Sequence, residues 1–360
     1  MRRTGRRLAI WMGAILLGIV LFLTARLERV LDAVYALRTG YDFVWMPEGV
    51  IPFANRPLNS SGQVAVDVQQ GCPHAQAAIW SLADPTARLL GTLPGYGSDS
   101  NASAINERGS VVGFINAAPW VALHAYFWSI ETGMVEIPAL GPGTIHPASI
   151  NNKDEVVGTT PKGRVSRGFL WDPRSGTREL APLVEAGESF AVGINEQGWI
   201  AGNSTAPDGQ IHPVLWKPGE PVQDIGIPPG YVSGAASKIN ERGEMLVNLS
   251  GPGSKYGDEF IWSGAKGYAA LPVPAGFKNV MAFSLNNLGH VLLSGESTAT
   301  QKYAGFLVVN GEVKQLPSAR LGLQTRYNGL NDRGWLTGYV ELQDGGGPDL
   351  KARRGFVARP

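Results

Sequence analysis

From residue 41 onward, short aliphatic runs alternate with turn residues, and the arrangement returns at a fixed interval. The clearest copies are Ala104–Gly113 (AINERGSVVG) and Ser149–Gly158 (SINNKDEVVG). An asparagine marks each copy: Asn59, Asn106, Asn151, Asn195, Asn240, Asn286 and Asn331, with spacings of 47, 45, 44, 45, 46 and 45 residues. That interval matches a propeller blade of four strands.

Each copy predicts four strands, a to d. Strand a ends on an aliphatic residue before the asparagine, as in Ile105, Ile150 and Ile194. The turn Asn-x-x-Gly follows, then strand b, as in Val111-Val112. Asp154 replaces the glycine in the third copy, so the slot calls for positive φ, which glycine, asparagine and aspartate tolerate best. Strand c ends on tryptophan in five copies (Trp80, Trp128, Trp171, Trp216, Trp262), with Val308 and Ala358 in that place in the last two. One indole per copy in a constant register points to packing between sheets. The asparagines point to turn formation through side-chain bonds to their own backbone.

The last copy stops after its c strand. Asp42–Trp45 and Val50–Pro52 form an orphan pair at the other end. This pair is expected to be a c–d unit that completes the last blade, which removes exposed sheet edges. It also duplicates the c strand of the last copy, and only one of the two is needed. The fold expected is an all-β, seven-bladed β-propeller over 41–360.

The motifs Ala-x-Ile-Asn-x-x-Gly-x-Val-Val-Gly and His124-Ala125-Tyr126-Phe127-Trp128, with the looser His212-Pro213-Val214-Leu215-Trp216, resemble the HAF-repeat family of predicted extracellular proteins. The resemblance covers about 55–360. It implies export and a propeller-like fold, and it carries no settled activity. The family's histidine is Arg167, Asp258, Ala304 and Arg354 in other copies, so that position is not kept here.

The N-terminal 40 residues follow a different pattern. Met1–Arg7 holds four arginines, and Leu8–Thr24 is 17 residues without a charge. That is the shortest run that spans hydrocarbon as a helix. No Ala-x-Ala cleavage site follows closely, so an uncleaved signal anchor is expected, with residues 1–7 cytoplasmic and the propeller on the periplasmic or extracellular side. Secretion after cleavage is the alternative. Residues 25–40 place Leu27, Val30, Leu31, Val34 and Leu37 on one helical face, an amphipathic juxtamembrane segment.

Composition supports strands over helices: glycine (47) and proline (25) make up 72 of 360 residues, and charged residues only 17%. The net charge of +1 conceals an asymmetry, because residues 41–360 hold 24 basic against 28 acidic residues. Such a body lacks the basic footprint a nucleic-acid partner needs. The single cysteine, Cys72, excludes an intramolecular disulfide.

Strands in a blade alternate in direction, so the uniform a–b turns share one face with the c–d turns. The variable b–c and d–a loops share the other, where binding usually sits. The candidate ligand or partner residues are therefore Trp120, His124, His146, Arg167, His212, Tyr231, Lys278 and Arg326. No nucleophile elbow, zinc-protease helix, Walker loop, dinucleotide fingerprint or Cys-x-x-Cys occurs. No metal site or cofactor is expected. The reading is a membrane-anchored binding or assembly module that takes a protein or glycan at its loop face. A propeller hydrolase or lyase acting on a glycan-like substrate at the channel mouth is the alternative.

Overall fold

The computed structural model describes residues 36, 38–54, 56–69, 75–116, 123–252, 257–319, 323–342 and 353–360. The basic N-terminus, the apolar run 8–24, most of 25–40, Cys72 and Trp120 lie outside them. Among the described residues no helix is long and apolar enough to cross a membrane. Among the described residues, those from Trp45 to Val357 form one compact unit, and those up to Val44 with Ala358–Pro360 form another.

Seven four-stranded antiparallel sheets make a seven-bladed β-propeller. Six blades run inside to outside in chain order. Blade one is Val50–Ile51, Gln63–Gln69, Ala75–Ser81 and Arg88–Leu89. Blade two is Ser100–Ile105, Val111–Asn116, Leu123–Ser129 and Gly133–Ile137. Blade three is His146–Ile150, Val156–Lys162, Val165–Asp172 and Gly176–Glu179. Blade four is Ser189–Ile194, Ile200–Thr205, Ile211–Trp216 and Gln223–Asp224. Blade five is Ser233–Ile239, Met245–Ser250, Asp258–Ser263 and Gly267–Ala270. Blade six is Phe277–Leu285, Val291–Ser297, Tyr303–Val309 and Glu312–Gln315. Blade seven takes Gln324–Leu330, Leu336–Glu341 and Arg353–Arg359 from the C-terminal end and Asp42–Trp45 as its outermost strand.

The orphan pair is therefore divided between two blades. Asp42–Trp45 is the d strand of blade seven, beside Arg353–Arg359 as c. Val50–Ile51 is not a d strand: it pairs with Val68 and Asp67 as the innermost strand of blade one. The physical reason is a split a strand. Pro52 and Pro57 lack N–H groups, which breaks the ladder. Pairing resumes at Leu58, opposite Val64.

The core is a set of wedges between neighbouring sheets. Trp128 packs with Ile79 and Ile105 between blades one and two. Trp171 packs with Phe127 and Ile150 between two and three. Trp216 and Trp262 repeat this at the next two seams, and Val308 takes the slot between five and six. The turn slot has positive φ throughout: Asp154 stands at 62°, against 83° for Gly109 and 77° for Gly198.

Each repeated asparagine does three things. Its Oδ1 accepts backbone N–H groups two and four residues on, as Asn106 does from Arg108 (3.1 Å) and Ser110 (2.8 Å), except that at Asn59 the residue two on donates its hydroxyl, Ser61 Oγ. Its own C=O accepts the turn Gly109 N–H at 3.1 Å. Its Nδ2 donates to the C=O of the next blade's asparagine. The series runs Asn59→Asn106 (3.0 Å), Asn106→Asn151 (2.9 Å), Asn151→Asn195 (3.1 Å), Asn195→Asn240 (3.2 Å), Asn240→Asn286 (3.1 Å) and Asn286→Asn331 (3.1 Å). Asn331→Asn59 (3.1 Å) closes it. All seven asparagines are buried.

Candidate functional site

The residue after each asparagine joins a second series of six bonds on the same a–b face, open between Asp332 and Ser60. Glu107 accepts the Ser60 N–H at 2.8 Å, and Asn152 accepts that of Glu107 at 2.8 Å. Glu196 accepts from Asn152 (2.9 Å), Glu241 from Glu196 (2.9 Å), Asn287 from Glu241 (2.9 Å) and Asp332 from Asn287 (2.7 Å). The turn face is thus occupied by its own hydrogen bonds. The sequence shows these residues only as the variable x of Asn-x-x-Gly, so their linkage from blade to blade was not visible there.

On the loop face, most candidate residues are engaged within their own blades. Three share one device, a clasp from the start of strand c to strand d. His124 Nδ1 meets Glu136 Oε1 at 2.8 Å, and Arg167 Nε meets Glu179 Oε1 at 2.7 Å. His212 Nδ1 meets Asp224 Oδ2 at 2.9 Å, and its Nε2 lies 3.3 Å from Asp208. Arg167 is buried and also donates to the Gly187 and Glu185 carbonyls. Arg326 lies 3.9 Å from the Tyr303 ring centroid and 3.8 Å from Glu341. His146 contacts Phe114 edge-on at 6.4 Å between ring centroids, and its burial pushes its pKa down. These side chains are spread over blades two, three, four and seven.

Two candidates do come together. Tyr231 and Lys278 line a cavity of about 540 Å³ between blades five and six, with Asp258, Glu259, Phe260 and Val273. Tyr231 Oη donates to Asp258 at 2.9 Å and its ring meets Phe260 edge-on at 5.5 Å. Lys278 pairs with Glu296 at 3.3 Å. Val273 is 64% exposed. The seam opens because the first strand of blade six is irregular. Besides the Ala282/Ser284 shift that other inner strands share, it carries an additional one, Lys278/Met281, and Asn279 within that shift has φ 52°. Only Leu285 of that strand is buried, and Asp258–Ser263 opposite is mostly half-buried. The inner strands of most other blades carry several buried residues, as in Ser100–Ile105.

Glu259, which sequence reasoning missed, lies at the back of this cleft. Burial pushes its pKa up, against opposing hydrogen bonds from Asn248 and the Ala282 N–H. Asp67, also missed, is buried in strand b of blade one and pushed up to about 6 by burial. Neither stands in a motif, and only the inter-blade contact reveals them. Among the described residues no three His, Cys, Asp or Glu side chains gather as metal ligands.

No family model matches the chain, and no curated protein matches it. Solved structures do. A prolyl endopeptidase superposes with TM-score 0.58 at 10% identity over 79% of this chain, which spans 45% of that enzyme's length. Oligogalacturonate lyase from Vibrio parahaemolyticus gives 0.55 at 11% identity, covering 89% of this chain and 96% of the lyase. An oligogalacturonate lyase in complex with manganese gives 0.55 at 11% identity, covering 88% and 90%. At such identities these similarities show the propeller fold alone.

Proposed function

We propose that this chain is a propeller binding module of the HAF-repeat type, and that a glycan is held in the cleft between blades five and six on the loop face. The observation that carries the reading is the cleft itself, about 540 Å³, where the seam is splayed by a strained, bulged strand. Strain of this kind persists where the surroundings impose it and gathers at binding sites. Tyr231, Phe260 and Phe277 offer aromatic surface for sugar rings. Asp258, Lys278 and Asn279 offer polar groups to hydroxyls and carboxylates. The lyases of the same fold act on oligogalacturonate, an acidic glycan, which makes that polymer the first probe.

The test uses the full-length chain in detergent, titrated calorimetrically with an oligogalacturonate and a neutral oligosaccharide of equal length. Saturable binding is expected, weakened at least about tenfold by Val273→Arg. That side chain is exposed, so the change fills the cleft without disturbing the core. No binding of either probe, or equal binding by Val273→Arg, overturns the reading.

Catalysis in the same cleft is a second reading, supported by the raised carboxyl pKa of Glu259 beside Tyr231 and Lys278. Shortened products after incubation would support it, and intact recovery would overturn it.

The run Leu8–Thr24 supports attachment to a membrane, with the propeller on its outer side. Deleting residues 8–24 is expected to release the protein from the membrane fraction, and retention in the pellet would sink the anchor.

A further inference from the structure

At the turn-face end of the ring, the inner strands enclose a cavity of about 70 Å³, separate from the cleft. Two cations line it, Arg56 of blade one and Lys238 of blade five, together with Ser284 and residues of the turn series. Their donors are almost wholly unmet. Arg56 presents five N–H donors and makes one long hydrogen bond, to the Ile194 carbonyl at 3.4 Å. The Lys238 ammonium has no hydrogen bond or ion pair among the described residues.

Four carboxylates stand nearby, Glu107, Glu196, Glu241 and Asp332. Each acts on Arg56 by charge, and none forms an ion pair with it. All four are held instead by backbone N–H groups of the preceding blade in the turn series. Glu107 and Asp332 line the same cavity as the two cations, yet their carboxylates are engaged by backbone N–H groups and form no ion pair with either cation.

Two like charges held half-buried in one narrow cavity are costly unless an acceptor lies between them. A guanidinium cannot shed its proton, so the arrangement calls for a counter-ion. We propose that the axial cavity is a binding site for a small oxyanion, clamped between the Arg56 guanidinium and the Lys238 ammonium. The acids in and beside the cavity limit its charge, so the class is a single phosphate, sulfate or carboxylate group and excludes polyanions. Burial and the neighbouring Arg56 push Lys238 down to about 8, which fits an ammonium without its partner.

The experiment is a thermal-shift and calorimetric titration of the full-length chain in a zwitterionic, low-salt buffer at pH 7. The probes are inorganic phosphate, sulfate and acetate. At least one is expected to bind saturably and raise Tm, as a ligand selective for the folded state must. Binding by phosphate or sulfate assigns a tetrahedral group, and binding by acetate alone assigns a carboxylate. Lys238→Met, which removes a half-buried charge and should fold, is expected to lose at least about tenfold in affinity. Arg56→Lys, which keeps one charge but not the planar fork, should show a smaller loss. If no probe saturates up to about 50 mM, the cavity holds only water and the proposal is overturned. Equal binding by Lys238→Met overturns it as well.

Discussion

Asp67 shows what one atom can change in a repeat. It accepts the Ala102 N–H and the Asn101 amide of blade two, both at 2.9 Å. In the same register of blade four, Asn203 does this work without charge: its Oδ1 accepts the Ala236 N–H at 2.6 Å and its Nδ2 donates to the Ala236 carbonyl at 3.1 Å. Burial outweighs the hydrogen bonds at Asp67 and lifts its pKa from 3.8 to about 6. A carboxyl with a raised folded pKa binds more protons when folded than unfolded between those values. Its destabilising effect is therefore fully present above pH 6 and is lifted as pH falls towards 4. Asp67→Asn is expected to stabilise the protein by about 1–3 kcal/mol at pH 7.5 and to flatten the pH 4–6 slope. Urea denaturation across that range measures both. Lys238 has the opposite sign. Its folded pKa of about 8 lies below the unfolded 10.5, so the unfolded chain holds more protons between the two values. Stability should rise with pH from about 8 to 10.5. Lys238→Met, already free of the charge, should lack that rise when unfolding is followed at pH 8, 9 and 10.

At the scale of the element, the unit of construction is the Asn-x-x-Gly turn together with the staple it throws to the next blade. The two roles separate by substitution. Asn195→Ala removes the acceptor for the Gln197 and Trp199 N–H groups (3.1 and 2.9 Å) and the donor to Asn240. Asn195→Asp keeps the acceptor but sets a carboxylate against the Asn240 carbonyl. If the staple matters, both lower stability by about 2–4 kcal/mol. An Asp variant close to wild type would show that the turn alone counts. The repeat glycine of strand b has a different cause. A Cβ on Gly202 would overlap the Phe190 carbonyl, because the inner strand bulges between Ala191 and Gly193 and drives its backbone inward. The turn, its positive φ and the strand count were legible because they recur in every copy. The staples were not, because a bond from Asn106 to Asn151 spans 45 residues and leaves no local signature. The cleft was half legible. Tyr231 and Lys278 fell within the variable loops, but the extra bulge at Lys278/Met281 depends on register, and register is set by pairing with the neighbouring strand. Arg56 and Lys238 were invisible for the same reason, since lone cations on short strands meet only when the ring closes.

On the scale of the whole molecule, closure joins residues more than 300 positions apart. In blade seven the Met46 N–H donates to the Gly355 carbonyl at 2.9 Å, and Arg354 Nε donates back to the Met46 carbonyl at 3.1 Å. Trp45 meets Phe356 edge-on at 5.9 Å and lies under the Arg354 guanidinium at 5.3 Å. Without this strand, Arg353–Arg359 would present an open edge that invites pairing with another chain. Arrays of repeats tend to unfold as sums of local and nearest-neighbour terms. A ring differs, because the Asn331–Asn59 bond and the blade-seven clasp make the first repeat a neighbour of the last. Trp45→Ala tests whether that coupling holds the ring as one unit. The half-buried side chain should cost about 1–3 kcal/mol. With closure coupling all seven blades, the loss moves the single urea transition to lower concentration, and tryptophan fluorescence and far-ultraviolet circular dichroism stay superimposed. With purely local closure, the two probes separate, and blade seven melts first while the remaining blades keep their original midpoint.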